Sequence, residues 1–241
     1  MVSGTPIAEL RKRMAAMSGQ PDQHAVDVAD PVEGALPMPS PLSEVLPHKG
    51  IARGTVACLD GMNSVLIAVI AEVTRAGGQV GIVGLPRLGL LSAAEMGADL
   101  SRIATVPLPG ADPVEVAAVL LDGMDLVVLG AGGLDVAPSR SRVVMGRARK
   151  QSSVLLVVGG RWPGAQTHID TEVLTYRHSP GLADPADIRC GFGRIGGMRL
   201  RITVSGRSRR PETVLADLVA RPQGVEMVQA TTTQHELAVA N

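Results

Sequence analysis

The stretch that decides the fold runs Ala52-Arg-Gly-Thr-Val-Ala-Cys-Leu-Asp-Gly61, then Met62-Asn-Ser-Val-Leu-Ile-Ala-Val-Ile-Ala-Glu-Val-Thr-Arg-Ala76, then Gly77-Gly-Gln-Val-Gly-Ile-Val-Gly84. The first part is a short apolar run ending at a glycine and reads as a strand. In the second, Val65, Leu66, Val69, Ile70 and Val73 recur at helical spacing, and Gly77 and Gly78 close that helix. The third is a second strand. Strand, turn, helix, strand is a βαβ unit, whose first turn cradles phosphate in many nucleotide-binding proteins. Here that turn is only Asp60-Gly61-Met62-Asn63.

Outward from this unit the alternation continues. Strands are expected at 54–59, 79–84, 102–106, 124–130 and 153–159, with helices at 62–76, 89–97, 113–122 and 139–150. Short connections between alternating elements imply a parallel sheet covered by helices on both faces. The runs Val80–Val83, Leu126–Leu129 and Val154–Val158 are nearly continuous in branched apolar residues, as strands buried on both faces require. After Gly160 the pattern turns strand-rich, at Thr167–Arg177 and Met198–Val204, and antiparallel strands extending the sheet are expected. A helix is expected at Pro211–Ala220, and a strand or flexible tail over 223–241.

The beginning of the chain differs. Thr5, Pro6 and Gly19 bracket a short helix within residues 1–20, with Leu10, Met14 and Met17 on one face. That face either docks on its own domain or serves as a protein-docking arm. Residues 21–39 are proline-rich without apolar periodicity and read as a linker. The core is placed at 40–222.

A phosphate-binding Walker A loop needs Gly-x-x-x-x-Gly-Lys-Ser/Thr, whose backbone N–H groups wrap the phosphates while the lysine supplies a point charge. The chain's three lysines, Lys12, Lys49 and Lys150, follow Arg11, His48 and Arg149. No Walker A motif is present. Gly130-Ala-Gly132-Gly133 invites a dinucleotide-fold reading, but the third glycine of that fingerprint is replaced by Asp135, and the strand before it is the fourth of its domain.

Leu46-Pro-His-Lys-Gly-Ile-Ala-Arg-Gly-Thr-Val56, Ile70-Ala-Glu-Val-Thr-Arg-Ala-Gly-Gly78 and Gly89-Leu-Leu-Ser-Ala-Ala-Glu-Met-Gly-Ala-Asp-Leu100 resemble the RecA recombinase core. They resemble more closely the RecA-like accessory proteins of bacterial mutasomes, the ImuA type in its actinobacterial-style variant. The resemblance spans Ser40 to Arg210. It implies an α/β, RecA-like core with a mainly parallel twisted sheet, flanking helices and a degenerate P-loop. Registered on that core, the turn before helix 62–76 is roughly five residues too short for the eight-residue motif. The acidic residue expected within Val83-Gly-Leu-Pro86 is missing, and Gly130 stands where a Walker B aspartate would sit. The degenerate nucleotide site is thus assigned to Asp60, Gly61, Met62, Asn63, Pro86 and Gly130, with no cofactor and no catalytic residue.

What the resemblance implies is a non-enzymatic adaptor of a DNA-damage-inducible mutasome. It would join an ImuB-type Y-family-like protein to an error-prone DNA polymerase in translesion synthesis and induced mutagenesis, as part of an SOS response. Alternatives are a DNA-binding module and a regulator docking on RecA or a cell-division protein. Arg140, Arg142, Arg147, Arg149 and Lys150 lie on or beside one helix; they form a solvated face or contact a phosphate backbone. Arg207, Arg209 and Arg210 form a second such cluster. Single-strand binders add aromatic stacking platforms, and Trp162, Tyr176 and Phe192 are the whole aromatic complement of this chain. Trp162 follows a buried strand, either as a lid over the core or as an exposed interface anchor.

Composition sets the remaining limits. The chain has 241 residues, enough for one α/β domain with a sizeable core. Its 23 basic residues balance 23 acidic ones, so attraction to nucleic acid is not built into the net charge. Cys58 and Cys190 have no metal-ligand spacing, and a zinc site is not expected. His168 and Asp170, two apart on an expected strand, face the same side without a nucleophile nearby. Free cysteines and the absence of an apolar span point to a cytoplasmic protein without membrane contact; the resemblance implies that it is nucleoid-associated when recruited to replication sites.

Overall fold

The computed structural model describes residues 34–178, 195–207 and 209–230, all within the compact unit Val32–Asn241. The N-terminal helix with Leu10, Met14 and Met17, most of the linker, Cys190, Phe192 and the end of the tail lie outside the described residues.

In chain order the strands are β1 (Ala35–Pro37), β2 (Gly50–Ala52), β3 (Val56–Asp60), β4 (Val80–Val83), β5 (Ile103–Val106), β6 (Leu126–Gly130), β7 (Val154–Val158), β8 (Thr167–His178), β9 (Ile195–Gly206), β10 (Arg209–Arg221) and β11 (Gly224–Gln229). The helices are α1 (Ser40–Glu44), α2 (Asn63–Arg75), α3 (Leu90–Glu95), α4 (Pro113–Leu120) and α5 (Pro138–Gln151). β1 and β2 form a small antiparallel pair. The other nine strands make one sheet in the order β11-β10-β9-β8-β3-β7-β6-β4-β5. β5, β4, β6, β7, β3 and β8 run parallel, and β9, β10 and β11 continue antiparallel.

The βαβ unit forms where the sequence places it. Along α2, Val65, Leu66, Val69, Ile70 and Val73 are all fully buried against one face of the sheet. The helix ends in a Schellman motif: Gly77 takes a left-handed φ of 91°, its N–H donates to Thr74 O at 3.0 Å, and the Gly78 N–H donates to Val73 O at 2.9 Å. The sheet buries two cores. Alternation within β3 sends Ala57 and Leu59 to the α2 side and Val56 and Cys58 to the side of α4 and α5. The first core also takes Leu36, Met38 and Leu42 from the start of the domain and Leu200, Ile202, Val214 and Leu218 from the antiparallel extension. The second takes Val114, Ala117, Val144, Ala148 and Trp162.

Two expectations are corrected, and a third, left between strand and tail, is decided. Pro211–Ala220 is not a helix but lies in β10, paired on both edges with β9 and β11. The linker expected through residue 39 stops earlier: Ala35–Pro37 is a strand, and Leu36 and Met38 are core residues. The stretch after residue 222 is in part sheet, since β11 pairs with β10 from Ala216↔Gln229 to Arg221↔Gly224. In addition, the extension after Gly160 begins with a strand, β8, that is parallel to β3 and only then turns antiparallel.

Candidate functional site

The turn that would hold phosphate is closed by its own neighbours. The Met62 N–H donates to Thr171 Oγ1 at 2.5 Å, and that hydroxyl donates to the Asp60 carbonyl at 2.9 Å. Gly61, at φ 101°, passes so close to β8 that a Cβ on it would collide with Thr171 O. An N–H at the mouth of α2, of the kind that binds anions at a helix start, is therefore committed to a side chain of β8. Asn63 opens α2 and is exposed, and Met62 supplies no side-chain cap.

The neighbouring strand ends are filled as well. A Cβ on Gly130 would meet Gly84 O at 2.7 Å and Leu85 Cδ2 at 2.7 Å, so Leu85 and the β4 backbone occupy the space a Walker B side chain needs. Pro86, exposed in the turn after β4, contributes no ionisable group. Gly160 approaches the loop after β6 equally closely: a Cβ at this position would lie 2.8 Å from Ala131 O.

Beside this closed turn a cavity of about 920 Å³ opens at the carboxyl ends of β3, β6 and β7 and the start of β8, lined in part by Asp60, Asp135, Arg161, Trp162, His168 and Asp170. In the β3–β8 register Cys58 lies opposite His168 and Asp60 opposite Asp170, so alternation brings all four to one face. The pairing of His168 and Asp170 on one side is thus as the sequence implied. Burial pushes the Cys58 thiol up; the Trp162 backbone opposes the rise, and the Asp60 and Asp170 carboxylates add to it. Among the described residues no group of three His, Cys, Asp or Glu side chains is placed to hold a metal ion.

The basic residues of α5 do not act as one patch. Arg140 pairs with Asp112, the N-cap of α4. Arg147 pairs with Asp122 through two hydrogen bonds, at 2.8 and 2.5 Å, and Gln151 adds a third at 2.9 Å. The Arg147 guanidinium, helped by Gln151, holds the Asp122 carboxyl down at about 2. Arg142, Arg149 and Lys150 remain exposed. In the second basic cluster, Arg209 pairs with Glu212. Trp162 is 3% exposed and packs in the second core, so of its two expected roles it is the lid and not the exposed anchor. Leu10, Met14 and Met17 lie outside the described residues.

Sequence reasoning missed Thr171 and Leu85, the two residues that close the turn and fill the strand end. Neither belongs to a nucleotide-binding motif, and only the β3–β8 register and the close approach of β4 to β6 bring them in. Asp135 entered only as the residue that breaks a glycine fingerprint; its place in the cavity follows from the loop after β6.

The sequence profile of the MT3502 N-terminal domain family matches residues 44–164. The uncharacterized protein Rv3395c of Mycobacterium tuberculosis is 45% identical over 203 residues, covering 83% of this chain and 92% of that protein. Among solved structures, the KaiC-like protein PH0186 of Pyrococcus horikoshii superposes with a TM-score of 0.52 at 11% identity, over 83% of this chain and all of that one. At that identity the likeness speaks to architecture alone, and the architecture is a RecA-like α/β fold. No helix among the described residues is long and apolar enough to cross a membrane. On the profile match and the extent of its likeness to the mycobacterial protein, the chain belongs to the MT3502 N-terminal domain family.

Proposed function

We propose that this protein is an ImuA-type adaptor without ATPase chemistry. It serves a DNA-damage-inducible mutasome by joining an ImuB-type protein to an error-prone polymerase during translesion synthesis. The observation that carries the proposal is the commitment of the Met62 N–H to Thr171, with Leu85 in the space beside Gly130. A RecA-like sheet with its phosphate turn sealed retains its surfaces as its means of action. The resemblance of residues 46–100 to mutasome accessory proteins supplies the kind of partner. Direct DNA binding is the weaker alternative, because Arg140 and Arg147 are neutralised by Asp112 and Asp122, and exposed charges without aromatic platforms give only salt-sensitive contacts.

Affinity purification of the tagged full chain from DNA-damaged cells tests the proposal. Recovery of an ImuB-type protein and an error-prone polymerase is expected. Recovery of RecA or a cell-division protein in their place, or of no mutasome component, would overturn it.

A further inference from the structure

The arginines of α5 divide lengthwise by partner. Arg140 and Arg147 lie on the α4 side, where Asp112 and Asp122 pair with them. Arg142 and Arg149 are exposed and pair with no carboxylate among the described residues. They stand three residues before and four residues after Met145, so they flank it on one face of the helix. A distant part of the chain reaches the same face. A Cβ on Gly164 would lie 3.0 Å from Met145 Sδ and 3.6 Å from Arg207 Nη2, which places the turn between β9 and β10 beside that thioether. The Ser141 hydroxyl donates to the Pro163 carbonyl and fixes the loop after β7 against α5. Arg207 is likewise exposed and unpaired among the described residues.

We propose that Arg142, Arg149 and Arg207, set around Met145, form the docking surface for an acidic segment of a protein partner. The inference rests on the adaptor proposal and deepens it by naming the chemistry of the docked segment. The segments that meet here are α5, residues 159–166 and residues 205–210. They contain no aspartate or glutamate, in a chain whose charges balance overall. Gathered without carboxylates between them, the three cations repel one another, and an anionic segment relieves that repulsion. A guanidinium is planar, stays charged and holds a carboxylate through paired N–H bonds. The thioether between them gives an adaptable apolar contact for a side chain of the same segment. Arginine and methionine are both enriched at protein interfaces. A nucleic-acid backbone fits less well. It asks for a groove of cations that tracks the strand, with aromatic platforms where the strand is single. These three gather about one side chain, and the net charge supplies no long-range attraction to a polyanion.

The probe is the fluorescein-labelled peptide Gly-Asp-Glu-Leu-Asp-Glu-amide, titrated into the full chain and followed by anisotropy. Gly-Asn-Gln-Leu-Asn-Gln-amide is its uncharged isostere. Saturable binding is expected with the acidic peptide and none with the isostere. The R149Q/R207Q variant takes one charge from α5 and one from the turn between β9 and β10, and should bind about tenfold more weakly. The K49Q/R87Q variant removes the same charge from exposed residues elsewhere and should bind as the parent does. None of these four side chains is bonded among the described residues, so both variants should melt with the parent, and melting serves as the folding control. Equal binding of both peptides, or equal weakening in R149Q/R207Q and K49Q/R87Q, would overturn the proposal. A short duplex DNA that binds more tightly than the acidic peptide and is weakened by R149Q/R207Q would also overturn it, because the surface then reads phosphate. A chain that captures mutasome components yet ignores the acidic peptide overturns the docking surface and leaves the adaptor intact. One that binds the peptide through these arginines yet captures no component overturns the adaptor.

Discussion

The Met62 N–H and the Thr171 hydroxyl meet at 2.5 Å, and the same hydroxyl reaches the Asp60 carbonyl at 2.9 Å. One side chain of β8 thus satisfies both ends of the turn between β3 and α2. The turn has no slack for an inserted loop, because Gly61 already touches the Thr171 backbone. Closure of this turn and attachment of the antiparallel extension to the sheet are one structural event.

Thr171→Val keeps shape and removes both hydrogen bonds, leaving a donor and an acceptor without partners in a half-buried turn. A loss of about 1–3 kcal/mol is expected. Urea unfolding measures it. Thr171→Ser, which retains the hydroxyl, should recover most of the loss. Destabilisation by Ser with none by Val would assign the role of Thr171 to its methyl group.

Gly130→Asp restores the residue type that a Walker B position carries, but its Cβ would lie 2.7 Å from both Gly84 O and Leu85 Cδ2. Overpacking of this kind costs about 1–3 kcal/mol, and burying the carboxylate adds to it. The variant should melt lower than the parent and bind no nucleotide. Pairing it with Leu85→Ala should return part of the lost stability, since one of the two clashes is with a side chain that can be shortened.

Asp122 joins α5 to the segment after α4. Its folded pKa is about 2, below the ordinary 3.8, because of Arg147 first and Gln151 second. A depressed carboxylate contributes stability that is fully present above its unfolded pKa and is lost as pH falls through the folded one. The contribution should therefore fade between about pH 4 and pH 2. D122N, which lacks the titrating group, should show a flatter acid limb in stability measured against pH. The site is solvent-exposed, so added salt should weaken the effect.

Truncation separates sheet from tail. A chain ending at Ala230 keeps β11 and its pairing with β10, as well as the Gln229–Glu44 hydrogen bond, and should melt with the intact protein. Ending it at Gln223 removes β11, strips cover from Leu218 and frees one edge of β10. A drop in melting temperature of at least about 4 °C is expected. Loss of a partner on deleting 223–241 would therefore mix unfolding with lost contact, and only the shorter deletion tests the tail as a binding element.

Much of the parallel half of the fold was legible in the sequence. α2 carries an unbroken helical stripe and a double-glycine stop, and β6 and β7 are continuous branched apolar runs; in these segments local pattern and tertiary burial agree. β10 misleads because Val214, Leu215, Leu218 and Val219 fall at helical spacing, while the residues that face the first core are Val214, Ala216 and Leu218, at strand spacing. Pairing on both edges outweighs the local preference. β1 hides in a proline-rich stretch, where Leu36, Met38 and Pro39 carry the burial. The missing nucleotide motifs could be read from residue types. What replaced them could not, because Thr171 lies 109 positions from Met62 and Leu85 meets Gly130 only through the β4–β6 pairing.

Nucleotide-independent partner binding is tested most directly by titration calorimetry of the purified full chain against a purified ImuB-type protein, with and without magnesium and ATP. Binding with the same affinity in both conditions is predicted, with no heat from nucleotide alone. No association, or association that appears only when ATP is present, would contradict the adaptor role.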